Sequence, residues 1–341
     1  MKYDVTIGIP VYRAEPYIRR TMESALSQSY PSIEFLVVDD GGDDQSIDIV
    51  KQIKNSHPRG NDIRILSHSK NEGVSASRNQ MIDEAQGDYL YFMDADDLIA
   101  KNTIALLMQI IQKYDAEIAF GSYEKIDMSG KREVYQYPSL QLMEEDQLAV
   151  YAYRKYAGIQ ASACNYLVKT QFLREKGLRF INSNYWEDLV FTFDLVTYIS
   201  RAVLLPDITY TYLCRENSLS HYQNRSSITK EEILNNVQTI NHLKETSSLL
   251  SKKEYYPNRC AIIAMTCFYI ACNIIKRRRD IVPFVTDREI KDIMVHPATF
   301  RQICSFRQSF VKNLALFLIA KFPSFLCVYL IKMVGKAKKL I

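Results

Sequence analysis

Carboxylates cluster where two apolar segments of this sequence end. Residues 33–38 and 87–93 are typical of buried strands, and each run is followed at once by acids. These acids are Asp39, Asp40, Asp94, Asp96 and Asp97. Crowded carboxylates repel one another and either take up protons or recruit a cation, and a hard ion such as Mg²⁺ or Mn²⁺ prefers oxygen ligands. The alternative is that Asp96 or Asp97 only caps the following helix.

A second acidic pair, Glu187 and Asp188, lies between Trp186 and the apolar residues 189–191. Partial burial would raise the pKa of Asp188 and suit it to act as a general base. The alternative is that both acids only begin a helix, where negative charge is favoured. Trp186, the only tryptophan, either packs in the core or lays its ring against a bound ligand.

The elements that must position these acids alternate strictly over residues 4–93, strand then helix. Apolar strands separated by single helices predict right-handed parallel crossovers and a sheet covered on both faces. Ligands of such sheets bind beyond the carboxyl ends of the strands. The next strands, up to about residue 215, extend the sheet in a mixed way, and only helical patterns follow Thr229. We therefore predict an α/β domain over residues 1–225 and an all-helical section over residues 226–341.

The composition favours a globular protein in a reducing compartment. The chain has 341 residues and a net charge of +4, which does not indicate a nucleic-acid partner. Its seven cysteines form no C-x-x-C pair, which is typical of reduced thiols and a cytoplasmic protein. The N-terminal MKYDVTIGIP is typical of a strand rather than a signal peptide. Neither G-x-G-x-x-G nor a P-loop motif is present, so a metal would have to meet phosphate charge.

Four segments resemble, in order and spacing, glycosyltransferase family 2 with its Rossmann-like GT-A fold. They are VTIGIPVYRAEPYI, EFLVVDDGGDDQS, NEGVSASRNQMIDEAQGDYLYFMDADD and YWEDLVF. The resemblance implies inverting transfer of a sugar from a nucleoside diphosphate donor, expected to be a UDP-sugar, to a hydroxyl of a growing glycan. Synthesis of a bacterial capsule, exopolysaccharide or other cell-surface polysaccharide is the expected context.

The same resemblance implies roles for individual residues. The donor would be bound by Pro10, Tyr12, Asp40, Asn71, Arg78, Asp94, Ala95, Asp96, Arg215, Ser218 and Ser220. Pro10, Tyr12 and Asp40 would form the nucleobase pocket, with Asn71 and Arg78 beside it. Asp188, with Glu187 next to it, would be the catalytic base, and Trp186 would lie on the acceptor side.

The expected cofactor is Mn²⁺ or Mg²⁺, held by Asp96 and Asp94. His221 is a candidate third ligand or diphosphate contact, although a single histidine after a strand is more often neither. Arg215 could contact a phosphate, or it could be a solvated or salt-bridged residue at a strand end. The sequence departs from the family pattern at Arg13, Gly42 and Asp43. These departures lie at the edge of the expected donor pocket, so they leave open which nucleobase and which sugar the donor carries.

The last residues, 310–341, combine apolar runs with six lysines and no acids. Lys321 and Pro323 interrupt the runs, so each is shorter than the roughly 20 residues of a spanning helix. One interpretation is an amphipathic anchor on the inner face of the cytoplasmic membrane, which would suit a lipid-linked glycan acceptor. The other is a helix packed on the protein with its lysines in water.

Two other functions are compatible with an acidic strand end. A metal-dependent phosphohydrolase would use the first Asp of D-x-D as a nucleophile, and it would carry that motif after an early strand. A non-catalytic nucleotide- or glycan-binding subunit would bind at the same rim without turnover.

Overall fold

The computed structural model describes residues 2–154, 158–183, 186–215 and 228–341. The chain divides into two compact units. The first comprises Met1–Leu148 and Ala161–Leu219, and the second comprises Ala149–Gln160 and Ser220–Ile341. Residues 149–160 thus group with the C-terminal unit, which no composition change in the sequence indicates.

The first unit is built on a ten-stranded sheet. Its strands are β1 (Tyr3–Val11), β2 (Ile33–Asp39), β3 (Ile63–Ser67), β4 (Gly87–Phe92), β5 (Leu98–Ile99), β6 (Ile118–Ile126), β7 (Arg132–Tyr135), β8 (Leu140–Leu142), β9 (Tyr166–Lys169) and β10 (Ala202–Leu213). The strand order is β3-β2-β1-β4-β9-β6-β10-β5, with β7 beside β6 and β8 beside β10.

Helices connect these strands. They are α1 (Ile18–Leu26), α2 (Ser46–Ser56), α3 (Val74–Glu84), α4 (Thr103–Tyr114), α5 (Gln147–Arg154), α6 (Thr170–Glu175) and α7 (Glu187–Leu195), with a 3₁₀ turn at Gly60–Asp62. Strands β1 to β4 pair in parallel, whereas β9 runs antiparallel to β4 and β6. The predicted mostly parallel, mixed sheet flanked by helices is confirmed.

Burial along β2 ends abruptly at the carboxyl end of the strand. Residues 33–38 are all buried, as expected for a parallel strand covered on both faces, and Asp39 is the first that is not. On α1 the buried side chains recur at helical spacing, from Ile18 and Met22 to Leu26. The apolar pattern therefore fixes where the chain turns polar at the sheet edge.

Residues 203–206 (VLLP) and 209–215 (TYTYLCR) are each typical of a short strand, but the structure joins most of them into one strand, β10. Its pairing with β6 shifts register around Ile208, and Pro206 lies within the irregular stretch. Because proline cannot donate to a strand ladder, a bulge at this point keeps the strand continuous.

In its described residues, the second unit is helical apart from one short pair of strands. Its helices are α8 (Lys230–Leu249), α9 (Tyr256–Arg277), α10 (Asp287–Ile293), α11 (Phe300–Cys304), α12 (Phe310–Lys321) and α13 (Ser324–Ala337). The strands β11 (Ile228–Thr229) and β12 (Ile281–Val282) pair in parallel, which corrects the all-helical prediction. Two-residue strands are too short to leave a period in the sequence.

A buried arginine explains why part of α5 belongs to the helical unit. Arg259 has no exposed surface, and its guanidinium donates to Tyr153 of α5 and, at 2.9 Å, to Ser247 of α8. The Tyr153 ring also stacks on Tyr255 at 5.4 Å. Such contacts depend on residues about 100 positions apart, so the sequence pattern could not show them.

Helix α9 is the described helix that is long and apolar enough to cross a membrane. In its most apolar window 72% of the residues are buried within the protein, which is the property of a core helix. The seven cysteines are free thiols, and only Cys304 is exposed.

Candidate active site

The carboxyl ends of three parallel strands meet at one edge of the first unit. Val11 of β1 lies opposite Asp39 of β2, and Gly8 lies opposite Phe92 of β4. The acidic segment 94–97 leaves the sheet directly beyond β4. This is the crevice in which open α/β sheets bind ligands.

Arg78, buried on α3, joins the acids of two distant segments. Its Nη2 atom donates to Asp94 Oδ1 at 2.8 Å. Its Nη1 atom forms a close ion pair with Asp188 and lies 3.4 Å from Glu187 Oε1. The predicted base and the acidic strand end therefore belong to one cluster. The family resemblance placed Arg78 beside the nucleobase pocket, and a contact of Arg78 with the donor stays a prediction.

The charge of Asp188 is finely balanced. Burial raises the pKa of the Asp188 carboxyl to about 8, the ion pair with Arg78 opposes this, and the negative charges of Glu187 and Asp94 add to the rise. The Asp188 side chain keeps 24% of its surface exposed, so it is accessible from solvent. A carboxylate with a pKa near the working pH is suited to general-base catalysis.

The structure shows that the acids at 187–188 begin a helix, and the general-base role of Asp188 stays a prediction. Glu187 and Asp188 form the first turn of α7, where the helix dipole favours negative charge. Trp186, immediately before them, has a left-handed backbone with φ 71°, which is costly for a bulky residue. Strained residues of this kind concentrate at functional sites.

The acidic segment after β4 is clamped from two sides. Thr21 of α1 donates its hydroxyl to the carbonyls of Ala95 and Asp97, each at 3.0 Å. Asp97 accepts from the Tyr210 hydroxyl at 2.7 Å and from the Leu213 N–H at 2.9 Å. Asp97 is therefore a structural residue.

Asp96 and Arg215 form an ion pair at the rim. Arg215 Nε binds Asp96 Oδ2 closely, and its guanidinium lies 5.0 Å from the centre of the Tyr17 ring. Burial and then the charge of Asp94 raise the pKa of Asp96, whereas Arg215 opposes the rise. The predicted phosphate-binding arginine thus contacts the predicted metal ligand.

Asp40 organises the loop that follows β3. It is only 3% exposed, and its carboxylate accepts from the backbone N–H groups of Glu72 and Gly73 at 2.8 and 2.9 Å. It also lies 2.8 Å from His68 Nδ1. Nucleobase binding by Asp40 stays a prediction. The structure shows that Asp40 also holds the loop that carries Asn71.

The two charged departures from the family pattern bind to each other. Arg13 Nε lies 2.7 Å from Asp43 Oδ1, and Nη2 lies 3.0 Å from Oδ2, a bidentate ion pair. The Arg13 guanidinium also lies 5.3 Å from the centre of the half-exposed Tyr12 ring. The pair therefore stands beside the predicted nucleobase pocket.

The predicted site residues fall into two groups on this rim. The first group joins Arg78 with Asp94, Glu187 and Asp188. The Asp96–Arg215 pair adjoins this group, because only Ala95 separates Asp96 from Asp94 in the sequence. The second lies at the ends of β1 and β2 and in the loop before α3, and consists of Pro10, Tyr12, Asp40 and Asn71. Ser218, Ser220 and His221 lie outside the described residues, so their roles stay predictions.

Sequence reasoning missed three residues that support the site. His68 follows β3 directly, so the same strand-end rule that selected the acids could have selected it. Thr21 and Tyr210 carry no signal, because their hydroxyls matter only through contacts with residues at least 74 positions away.

The acids present fit a divalent cation of the predicted kind. Within the described ranges no three His, Cys, Asp or Glu side chains are grouped as a metal site. Asp94 and Asp96 nevertheless offer hard oxygen ligands, and each binds its arginine through a single carboxylate oxygen. One or two carboxylates with substrate phosphates are a common ligand set for Mg²⁺.

Known proteins resemble the first half of the chain most. Residues 6–173 match the family model described as glycosyl transferase family 2. An uncharacterized glycosyltransferase of Haemophilus influenzae is 34% identical over 38% of this chain and 50% of its own length. TuaG of Bacillus subtilis, named for teichuronic acid biosynthesis, is 30% identical over 37% of this chain and 49% of its own. The chain thus spans about half the length of both relatives.

Solved structures of TarS match across most of the chain. TarS 1–349 of S. aureus, crystallised in complex with UDP-GlcNAc, superposes with a TM-score of 0.64. The match covers 93% of this chain and 90% of TarS 1–349, at 17% sequence identity. At that identity the likeness establishes the fold, which is the predicted GT-A type with a helical C-terminal part.

Proposed function

We propose that this chain is a glycosyltransferase of family 2, because residues 6–173 match the model of that family. It would transfer a sugar, with inversion, from a nucleoside diphosphate donor to a glycan hydroxyl. The observation that carries the proposal is the joining of Asp188 to the acidic strand end through Arg78. Family membership favours this function over a phosphohydrolase or a non-catalytic binder.

Asp188 is the proposed general base. As the acceptor oxygen forms its bond to the anomeric carbon, Asp188 takes the hydroxyl proton. The bond from that carbon to the diphosphate oxygen breaks, and its electron pair leaves with the diphosphate. A single displacement of this kind inverts the anomeric centre and needs no covalent intermediate. Arg78 holds the base in place and keeps part of its population ionised.

Asp94 and Asp96 are the proposed ligands of Mn²⁺ or Mg²⁺, with His221 as a further candidate. Such an ion would offset negative charge on the departing diphosphate. The support is the chemistry of the carboxylates and the raised pKa of Asp96, which reflects crowding by Asp94 in a buried setting. Arg215, which pairs with Asp96 in this structure, is the proposed ligand of a donor phosphate oxygen.

A UDP-sugar is the proposed donor, and a cell-surface polysaccharide or its lipid-linked precursor is the proposed acceptor. UDP-GlcNAc in the TarS crystal supports the donor class. The name of TuaG supports the polysaccharide context. Neither fixes which sugar is moved or which linkage is made.

The test is release of nucleoside diphosphate from a panel of nucleotide sugars, with and without Mn²⁺. We expect slow, metal-dependent release of UDP from wild-type protein and strong loss of release in Asp188→Asn. Thermal unfolding with UDP would show whether the variant still binds donor. Equal release by the variant, or release of inorganic phosphate from simple phosphate esters, would contradict the proposal.

A further inference from the structure

Helices α12 and α13 expose apolar side chains next to lysines. The exposed residues form what we term the tail surface, and each is 42–75% exposed. They are Val311, Leu318, Phe322, Phe325, Tyr329 and Met333. Large apolar side chains grouped on a surface mark a site of interaction.

The exposed residues lie on one face of each helix. On α13 the residues Phe325, Tyr329 and Met333 recur every four positions, which aligns them along the helix. The fully buried Cys327 and Ile331 lie on the opposite face. Helix α13 therefore has apolar side chains on two opposite faces, and the protein covers only one of these faces.

Helix α12 has the same arrangement. Val311 and Leu318 lie on its exposed face, and the buried Asn313 and Leu316 lie on the other. Asn313 donates to the Pro257 carbonyl of α9 at 3.0 Å, which ties the helix to the core of its unit. Both helices pack against α9, so their uncovered faces point away from it. The helices are thus folded onto the protein and still leave apolar surface unused.

Charge shows what kind of partner suits this surface. Residues 310–341 carry six lysines and no acids, and all six lysines are exposed. A second copy of the chain would bring six more positive charges to the same interface, which like-charge repulsion disfavours. An anionic surface would be attracted instead.

We propose that the tail surface binds, in plane, to the surface of a bilayer that contains anionic phospholipids. The aromatic and aliphatic side chains would enter the boundary between headgroups and acyl chains, and the lysine stems would reach the headgroup phosphates. With 12 and 14 residues, neither helix is long enough to span the bilayer. This proposal does not depend on the proposed sugar transfer.

Sedimentation of the full chain with vesicles tests the proposal. One set contains phosphatidylglycerol and phosphatidylcholine, and the other phosphatidylcholine alone. We expect binding to the first set only, with release at about 1 M salt. Each lysine near an anionic surface contributes about fivefold to partitioning, so the triple change Lys312→Gln, Lys332→Gln and Lys336→Gln should weaken binding roughly 100-fold.

An apolar variant and matched controls separate the two contributions. Phe325→Ser with Tyr329→Ser should also abolish most binding, while Met128→Ser, 63% exposed on the first unit, should not change it. For the lysines the control is Lys54→Gln with Lys101→Gln. All changed side chains are exposed, so melting temperatures should stay near that of the wild type.

Three outcomes would overturn the proposal. The first is no binding to anionic vesicles, and the second is equal binding by the tail variants and the controls. The third is self-association in sedimentation velocity that the Phe325→Ser and Tyr329→Ser changes remove, without lipid binding. That result would assign the surface to a contact between copies of the chain. UDP release by the tail variants, measured in parallel without lipid, distinguishes this failure from failure of the proposed enzymatic function.

Discussion

The pH dependence of turnover is the sharpest test of the base assignment. Burial and neighbouring acids raise the pKa of Asp188 to about 8. The Asp188 carboxyl is therefore ionised in only about one tenth of the molecules at pH 7, and in about nine tenths at pH 9. If Asp188 takes the acceptor proton, kcat/KM should rise about tenfold between these pH values and then level off. Asp188→Asn should lower the plateau by about 10²- to 10⁴-fold.

The assay is UDP release at low donor concentration, because kcat/KM reports the free enzyme. Glu187→Gln is the matched control, since it changes the neighbouring carboxylate on the same arginine. It removes a negative charge that raises the pKa of Asp188, so the rising limb should move to lower pH while activity persists. A wild-type profile that is flat from pH 6 to pH 9, or a limb that Glu187→Gln leaves in place, would refute the reasoning.

Stability gives an independent readout of the same group. The folded protein keeps the Asp188 proton up to about pH 8, whereas the unfolded chain releases it near about pH 4. Stability from this group is therefore full at low pH and is lost as pH rises between these values. Asp188→Asn should reduce the fall in melting temperature over that range.

Three further changes test the rim. Asp96→Ala should remove the metal-dependent part of thermal stabilisation by UDP, whereas Asp43→Ala should keep it; loss in both variants would argue against a specific ligand role. Asp40→Asn replaces an acceptor of two backbone N–H groups and should destabilise by about 1–3 kcal/mol in urea unfolding; an unchanged midpoint would show that the loop does not need these bonds. Gly41→Ala combines φ +68° with a Cβ only 2.6 Å from neighbouring backbone and should cost about 1–3 kcal/mol. Gly130→Ala, at φ +82° with open space around it, should cost less, and equal costs would contradict the clash.

The sequence predicts the strand ends well because one physical rule governs them. Runs such as residues 33–38 are buried on both faces, so the first carboxylate after each run must lie at the sheet edge. The rule states where an acid lies along the chain, but not which cation it meets. Arg78 is the example, since its contacts with Asp94 and Asp188 depend on where the fold places α3 relative to the end of β4 and the start of α7.

The sequence also does not predict which hydroxyl groups the arginine side chains contact. Tyr153 reads as one aromatic in a short amphipathic helix, and only the folded chain shows it beside the buried Arg259. A contact between residues 106 positions apart leaves no local pattern. Such long-range polar pairs determine where one unit ends and which groups surround Asp188. Only the folded structure shows them.

The Arg13–Asp43 pair constrains how the proposed donor site can be altered. The two residues come from separate loops, and they bind each other through two hydrogen bonds. Replacing either residue alone would remove this pair and, because both side chains are mostly exposed, would free the remaining one to change its position beside the Tyr12 ring. Attempts to redirect donor choice should therefore exchange both positions in the same step, and natural variants should change at the two positions in concert.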